Sequence, residues 1–304
     1  MAGGGTEAGR ELLLTASRAV AEDIDRAFDI LLATPEDPRR KLYDAMRHAT
    51  IGGGKRLRPL LVKATGDLFH LDPDHLLRVG LAVECVHVYS LIHDDLPAMD
   101  DDDLRRGKPT VHRAFDEATA ILAGDCLHDL AFDILADEAT HPDPFIRCEL
   151  VRALARAAGP SGMVGGQMMD LVAEGETFDL QTITRLQQLK TGAIIAYCVE
   201  AAAIMGHLPP EGRTGLHGFA HDIGLAFQIA DDLLDIEGDE ALAGKALGKD
   251  SEAGKQTFVS LLGVERARQQ AQMLVDQAKA HLHDFGESAD LLRAIADYIV
   301  ERDR

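Results

Sequence analysis

The sequence predicts an all-α fold, built as a single large helical bundle. Its 304 residues are 46 % hydrophobic but only 5 % aromatic, with no Trp, a composition rich in Ala and Leu that favours packed helices over a β-sandwich. Apolar residues recur with the helical period of 3.6 along most of the chain, and alternating strand patterns are hard to find. Since no low-complexity linker divides the chain, we expect one domain over 1–304, with 1–10 as a flexible N-terminus.

Turn-forming segments mark the limits of the expected helices. Pro-, Gly- and Asp-rich breaks fall at 71–75, 140–144 and 206–212, and a Gly/Lys-rich segment covers 238–255. The helices expected between such breaks lie at about 8–33, 37–50, 57–70, 74–98, 112–138, 143–158, 161–174, 179–206, 210–236, 254–282 and 287–302.

Charge and cysteine content restrict the class of protein. The net charge of −20 argues against general nucleic-acid binding, because phosphate backbones are held by an excess of Lys and Arg. The four cysteines are widely spaced, with no CxxC pair, and predict buried reduced thiols. The N-terminus lacks a signal-peptide pattern, and no run reaches the roughly 18 apolar residues of a membrane span. We therefore expect a cytoplasmic protein.

The segment HDDLPAMDDDD, residues 93–103, contains the first of two aspartate-rich motifs. Asp94 and Asp95 end a helical pattern, and Pro97 closes or kinks that helix, so Asp100 is expected to return from the loop that follows. The three acids after it are expected to be solvated or to cap a helix: Asp101, Asp102 and Asp103.

The segment FQIADDLLDIEGD contains the second motif, near the end of a long apolar helix. Asp231 and Asp235 are four residues apart, which places their carboxylates on one helical face, about one turn from each other. Asp232 lies beside them. A solvated helix end is the alternative, but the apolar flanks indicate a half-buried position, where carboxylates are costly unless they are paired or bind a metal.

Together the motifs indicate a cation site. Oxygen ligands without a His or Cys cluster favour Mg²⁺, with Mn²⁺ as the alternative, over zinc. Mg²⁺ shares its coordination positions with water and phosphate oxygens, so two facing carboxylate clusters would clamp a diphosphate. An HD-type metal phosphohydrolase centred on His93 would need further ligands on other helices.

Basic residues follow the acidic motifs or lie in Gly-bearing turns. IGGGKRLRP supplies Lys55, Arg56 and Arg58 after three glycines, although it is not a Walker loop. For Arg56, pairing with a surface carboxylate is the alternative. Further basic residues follow the motifs: Arg105, Arg106, Lys245, Lys249 and Lys255.

Six segments in order resemble the short-chain trans-isoprenyl diphosphate synthase family, most closely its bacterial farnesyl diphosphate synthases. They are GGGKRLRP, HDDLPAMDDDDLRRGKPTVH, GGQMMDL, KTGAII, GLAFQIADDLLDIEGD and GKQTF, from about Lys41 to the C-terminus. The resemblance implies the isoprenoid synthase fold, in which the two motifs face each other across a central cavity. It also implies a Mg²⁺-dependent homodimer, with three Mg²⁺ per site once diphosphate is bound.

The resemblance also assigns roles to single residues. It implies direct metal ligation by Asp94, Asp100 and Asp231, which three further motif acids would support directly or through water: Asp95, Asp232 and Asp235. The allylic diphosphate would be held by Arg105, Lys190, Lys245 and Lys255. Isopentenyl diphosphate would be held by Lys55, Arg58, His87 and Arg106, with a core histidine as the alternative for His87. Thr191 and Gln228 would stabilise the cation or orient diphosphate. Gln167 and Asp170 would support the site or pack between helices.

Product length depends on the helix that carries the first motif. In the family the growing prenyl chain extends toward the N-terminus of that helix, where Tyr89 and Ser90 precede Asp94 by about one turn. A bulky Tyr89 that closes the pocket implies a C15 product, while ordinary helix packing of this ring leaves C10 and C20 open. A terpene cyclase and a non-catalytic binding subunit are the remote alternatives. The cyclase is disfavoured by the second aspartate-rich motif, and the subunit by the integrity of both motifs.

Overall fold

The computed structural model describes residues 7–173, 175–237 and 256–301. Within these ranges the chain is mainly helical, which confirms the all-α prediction. The α-helices are α1 (Glu7–Leu31), α2 (Arg40–Thr50), α3 (Leu57–Asp67), α4 (Pro73–Asp94), α5 (Val111–Ala114), α6 (Glu117–Ala136), α7 (Pro144–Ala158), α8 (Met163–Ala173), α9 (Leu180–Gln187), α10 (Ala193–Met205), α11 (Thr214–Glu237), α12 (Phe258–Leu262), α13 (Val264–His281) and α14 (Asp290–Glu301).

Shorter elements connect these helices. A π-helical turn, Gln188–Gly192, continues α9 into α10, and 3₁₀ turns occupy Pro210–Arg213 and His283–Ala289. Strands β1 (Leu104–Arg105) and β2 (Lys108–Pro109) form a two-residue antiparallel hairpin after the first aspartate-rich motif. The helical period could not reveal this hairpin, because two residues are too few to show an alternating pattern.

Three expected helices end early or divide. The helix expected to reach residue 98 ends at Asp94, before Pro97, as the ring of proline requires. The helix expected over 112–138 breaks at Phe115, and the side chain of Asp116 caps α6 by accepting a hydrogen bond from the Thr119 N–H at 2.8 Å. Gly263, with φ of 79°, separates α12 from α13.

Helix α4 lies at the centre of the bundle. It packs against α3, α6 and α10, and its buried side chains belong to one hydrophobic cluster that includes residues of most other helices. Asp72 caps its start by accepting a hydrogen bond from the Asp74 N–H at 2.9 Å, with Pro73 in the first turn. Most buried apolar residues of the described helices thus form one continuous cluster.

Two helical stretches meet the length and composition expected of a membrane span, Pro73–Asp94 and Leu180–Met205. In each, 67 % of the most apolar window is buried inside the protein. Their apolar character is therefore accounted for by the core they form, and the evidence for a span is weak.

A buried ion-pair group fixes the start of α3. The Arg56 side chain donates to Glu84 on α4 and to Asp25 on α1, each at 2.6 Å, and both Arg56 and Glu84 are almost fully buried. Arg56 does pair with carboxylates, as the alternative expectation had it, but in the core and not at the surface. This group holds the glycine turn that precedes α3 against α4.

The cysteines are free thiols, but only two are buried. Cys85 and Cys198 lie in the core, whereas Cys126 is half-buried and Cys148 is exposed on α7. The expectation of four buried thiols was therefore wrong for Cys148, because its position falls on the outer face of an amphipathic helix.

Candidate active site

The first aspartate-rich motif is a compact loop that folds back onto the end of α4. The Asp100 N–H donates to the carbonyl of Asp94 at 2.8 Å, and the Asp102 N–H donates to the carbonyl of Asp95 at 3.2 Å. Asp100 thereby returns to the helix end from the loop, as the position of Pro97 predicts. Its exposed side chain lies beside the half-buried side chain of Asp94.

Arg105, on β1, ties this loop together. Its Nε donates to Asp95 Oδ1 at 2.9 Å and its Nη2 donates to both Asp95 Oδ1 and Asp102 Oδ2. Asp95 and Asp102 are buried, so the expectation that Asp102 is solvated was wrong. Asp101 and Asp103 are exposed as expected, and both pair with Arg113.

The carboxyl of Asp94 is half-buried and responds to the charges of Lys190 and Asp100. Burial raises the pKa of its carboxyl to about 6, the positive charge of Lys190 opposes this rise, and the negative charge of Asp100 adds to it. Burial also raises the pKa of Asp95, against the lowering effect of its hydrogen bonds with Arg105. Lys190 lies 96 residues after Asp94 in sequence, so this coupling shows that the fold brings the two together.

Lys190 and Thr191 lie on the π-helical turn, a local widening of the helix that is common at functional sites. Lys190 Nζ donates to Asp170 on α8 at 2.8 Å, and Thr191 is buried. A Cβ on Gly166 would lie 2.2 Å from the Lys190 nitrogen, so only glycine lets α8 pack this closely against the turn. This contact accounts for the second glycine of GGQMMDL and assigns Asp170 a partner in the site.

Helix α11 carries the second aspartate-rich motif into the same region. Its Gly224 packs against Gly192 at the end of the π-helical turn, and a Cβ there would lie 3.2 Å from the Gly192 Cα. One turn further along α11, Gln228 Nε2 donates to Gln187 Oε1 at 2.6 Å. Gln187 was missed in the sequence, because a Gln three residues before the family segment KTGAII carries no signal of its own.

The three aspartates of the second motif differ in exposure. Asp231 and Asp235 are half-buried on one helical face, as their spacing predicts. Asp232 is 6 % exposed and points about a quarter turn away, where its Oδ2 accepts a hydrogen bond from the Phe258 N–H at 2.8 Å.

A basic pocket lies beside the first motif. Arg106 Nη2 lies 3.5 Å from His87 Nε2, and its guanidinium rests on Gly54, where a Cβ would come within 2.6 Å of it. Burial lowers the pKa of His87 well below its ordinary value, and the charges of Arg58 and Arg106 lower it further. The structure thus gathers Arg58, His87 and Arg106, while the ammonium of Lys55 lies 5.3 Å from the ring centroid of Tyr298 on α14.

Tyr89 and Ser90 precede Asp94 on α4. The buried ring of Tyr89 makes edge contacts with His93 on the same helix and with His128 on α6, at centroid distances of 5.8 and 5.0 Å. Ser90 shares the helical face of Asp94, and its Oγ donates to the carbonyl of His87 at 2.9 Å. Burial, reinforced by the charge of Asp94, raises the pKa of Tyr89 to about 12.

Two further observations bear on ligands. Lys245, Lys249 and Lys255 lie outside the described residues. Among the described residues, Arg58 Nε and both amide atoms of Gln167 are buried without a hydrogen-bond partner, an arrangement that a bound ligand could satisfy.

The donor set suits a hard cation that is shared with a ligand. In the described ranges, no group of three or more His, Cys, Asp or Glu side chains is placed to hold a metal by itself. Mg²⁺ takes one or two carboxylates and completes its octahedron with water and phosphate oxygens, so the pair Asp94 and Asp100 fits it.

The chain also resembles known proteins over most of its length. A family model described as polyprenyl synthetase matches residues 39–297. Farnesyl diphosphate synthase of Escherichia coli (strain K12) is 44 % identical over 296 residues, which cover 94 % of this chain and 97 % of the relative.

Solved structures give the same result. A farnesyl/geranylfarnesyl (FPP/GFPP) synthase from Zymomonas mobilis superposes with a TM-score of 0.88 at 60 % identity, covering 96 % of this chain and 99 % of that one. A geranyltransferase from Helicobacter pylori, complexed with magnesium and isoprenyl diphosphate, gives a TM-score of 0.79 at 31 % identity, covering 94 % and 97 %. Fold and site together define a trans-prenyltransferase. The chain belongs to the polyprenyl synthetase family.

Proposed function

We propose that this protein is a farnesyl diphosphate synthase, which condenses isopentenyl diphosphate with dimethylallyl or geranyl diphosphate. The observation that carries the proposal is the return of Asp100 to Asp94, held by the hydrogen bond from the Asp100 N–H to the Asp94 carbonyl, beside a separate group of basic residues in which Arg106 lies 3.5 Å from His87. Two diphosphates therefore have two distinct environments, one rich in carboxylates and one basic. Of the two, only the diphosphate at the carboxylates is activated to leave.

The allylic diphosphate lies between the motifs in this proposal. Bound Mg²⁺ would neutralise charge on the leaving diphosphate, held by Asp94 and Asp100 on one wall and by Asp231 and Asp235 on the other, with Asp95 and Asp232 beside them. We propose three Mg²⁺ ions per site, and that Mn²⁺ can replace Mg²⁺. Lys190 adds positive charge to the same diphosphate, as do Lys245 and Lys255.

Arg105 is held in place for the same anion. Its described hydrogen bonds to carboxylates use Nε and Nη2. Nη1 is then the nitrogen that donates to a phosphate oxygen, from a guanidinium whose orientation is fixed before the substrate arrives.

Isopentenyl diphosphate binds in the basic pocket, held by Lys55, Arg58 and Arg106. His87 stays neutral at physiological pH because burial and the neighbouring arginines lower its pKa, so it contributes a hydrogen bond and not a charge. The unpartnered Nε of Arg58 gains an acceptor when a phosphate binds.

The reaction follows from this division. The bond between allylic C1 and the diphosphate oxygen breaks, and the diphosphate departs with the electron pair. The π-bond of isopentenyl diphosphate attacks C1 of the allylic cation, and the proton then lost passes to the released diphosphate. In this proposal the Lys190 carbonyl, Thr191 and the Gln228 amide, whose Nε2 donates to Gln187, stabilise the cation.

In this proposal Tyr89 limits the length of the product. Its buried ring, wedged against His128 on α6, lies about one turn from Asp94 along α4, and the prenyl chain stops there at C15. The Zymomonas relative is described as making both FPP and a longer product, so a C20 or longer product is the second candidate. Ser90, on the face of Asp94, is the smaller lining residue.

We infer that two copies of the chain associate and that the protein acts in the cytoplasm. Apolar side chains stay exposed on α6, at Ile121 and Leu122, and on α8, at Val164 and Met168, which supports a homodimer. The free thiols support a reducing compartment. Light scattering after size-exclusion chromatography tests the dimer, and a monomer at micromolar concentration would contradict it.

A mass-resolved product assay tests the function. The protein receives Mg²⁺, isopentenyl diphosphate and, in separate reactions, a C5, C10 or C15 allylic diphosphate. We expect C15 from both shorter starters and no use of the C15 starter. The variant Tyr89→Ala should extend the product, whereas Tyr43→Ala on α2 should not. A C20 product from the unmodified protein refutes the role of Tyr89 alone. No condensation by folded protein refutes the synthase and favours the cyclase or the binding subunit.

A further inference from the structure

The two aspartate-rich motifs share a feature beyond their spacing. Each begins with two adjacent aspartates, Asp94–Asp95 and Asp231–Asp232, and in each pair the second side chain is the more buried. Asp95 and Asp232 are 3 % and 6 % exposed, whereas Asp94 and Asp231 are half-buried. Burying a carboxylate is costly unless it is hydrogen-bonded, so the second aspartate of each pair must have protein partners.

Those partners lie downstream in the sequence. Asp95 accepts hydrogen bonds from Arg105, ten residues later on β1. Asp232 accepts from the backbone N–H of Phe258, 26 residues later. In both cases the second aspartate joins the helix carrying the motif to the part of the chain that follows it.

The contact at Phe258 has a clear structural reason. Phe258 is the first residue of α12, and the first N–H groups of a helix have no partner within that helix. Thr257 and Ser260 satisfy two other groups at this end through a reciprocal capping box, and Asp232 takes the N–H of Phe258. The rings and methyls of Phe258 and Val259 are buried in the core, so the carboxylate fixes a well-defined position.

We infer that Asp232 is a positioning residue, which acts by accepting the Phe258 N–H to fix the start of α12 against α11, and that Asp95 fixes β1 through Arg105 in the same way. The metal-facing task then belongs to the first aspartate of each pair, together with Asp100 and Asp235. The metal-facing role of the first aspartate in each pair rests on the proposed function. The positioning contacts of Asp95 and Asp232 do not. Two adjacent aspartates with the same side chain therefore have different roles, because they bind different partners.

Asparagine separates the two roles. Its side-chain carbonyl can still accept the Phe258 N–H, but it lacks the charge that a metal ligand supplies. At position 232 we expect Asp232→Asn to retain a kcat about 20-fold higher than that of Asp232→Ala, because only the amide variant can still accept the Phe258 N–H. At position 231, Asp231→Asn and Asp231→Ala should be equally impaired, because there the charge is what counts.

Amide hydrogen exchange supplies a readout that needs neither metal nor substrate. In the free protein, exchange in a peptide covering 256–262 should accelerate at least tenfold in Asp232→Ala, and stay unchanged in Asp232→Asn and Asp231→Ala. Equal loss of kcat in both position-232 variants, with normal exchange at 256–262, would overturn the inference and make Asp232 a ligand.

The design keeps the two proposals apart. If the unmodified protein condenses no prenyl diphosphates, the proposed function fails while the exchange data still decide the contact between α11 and α12. If Asp232→Ala does not fold, Asp232→Asn decides alone: a loss of about 10³-fold with normal exchange contradicts a positioning role.

Discussion

The two aspartate-rich motifs bring pairs of carboxylates together by different backbone routes. In the second, α11 runs straight through the motif, and the spacing of Asp231 and Asp235 alone puts them on one face, about 6 Å apart along the axis. In the first, α4 ends at Asp94 and a loop returns Asp100 to it through backbone hydrogen bonds and the Arg105 side chain. The second motif is thus defined by helix geometry, and the first by a tertiary network that can be disrupted from a distance.

The largest expected effect tests whether both motifs do the same chemical work. Replacing Asp94 or Asp231 by Asn should each lower kcat about 10³-fold, because each removes charge that holds the cation at the leaving diphosphate. Single-turnover rates at saturating Mg²⁺ measure this. Asp103→Asn, which removes an exposed charge from the same acidic run, is the control and should stay near the original rate. A full loss of kcat at one motif only would show that the two motifs do not do the same chemical work.

The next test extends the comparison to the basic pocket. Arg58→Gln should raise the KM for isopentenyl diphosphate about 10- to 100-fold, because a charge-assisted hydrogen bond contributes about 1.5–3 kcal/mol. The KM for geranyl diphosphate should barely change. Arg152→Gln, at an exposed position on α7, controls for the loss of positive charge. If both KM values rose together, the two diphosphates would not occupy separate environments.

Stability sharpens the contrast within the first motif. Asp102→Asn removes a buried carboxylate that pairs with Arg105 at 3.0 Å and should lower the free energy of unfolding by about 1–3 kcal/mol. The neighbouring Asp101→Asn, in an exposed side chain, should change it by less than about 0.5 kcal/mol. Chemical denaturation measures both. Equal effects would mean that the loop is not held by the buried acid.

The smallest effect is a pH dependence that originates in the basic pocket. His87 resists protonation in the folded protein, whereas the unfolded chain binds a proton near its ordinary pKa of 6.5. The free energy of unfolding should therefore fall as the pH drops below about 6.5, by up to about 1.4 kcal/mol per pH unit from this group. His87→Gln should flatten that slope, and His283→Gln, at a nearly fully exposed side chain, should not. An unchanged slope in His87→Gln would assign the effect to another group.

Sequence reasoning located the functional elements because local signals are strong there. The spacing of Asp231 and Asp235 fixes their common face, and Pro97 fixes the end of α4 and the return of Asp100. It failed for Asp102, whose place in a run of acidic residues suggested a solvated side chain. The burial of Asp102 depends on Arg105, which folds back from the hairpin to pair with it. Gln187 escaped notice for a similar reason, since its partner Gln228 lies 41 residues away.

By itself the sequence determined the all-α class, the two acidic motifs and the family, since periodicity, spacing and motif order are properties of the chain. Only the tertiary structure decided which of two adjacent aspartates is the more buried, that the charge of Lys190 acts on Asp94, and that Gly166 must lack a side chain. Those facts depend on how closely the helices pack and on which side chains packing removes from water. Such distances and burials arise between segments remote in sequence, where no local pattern records them.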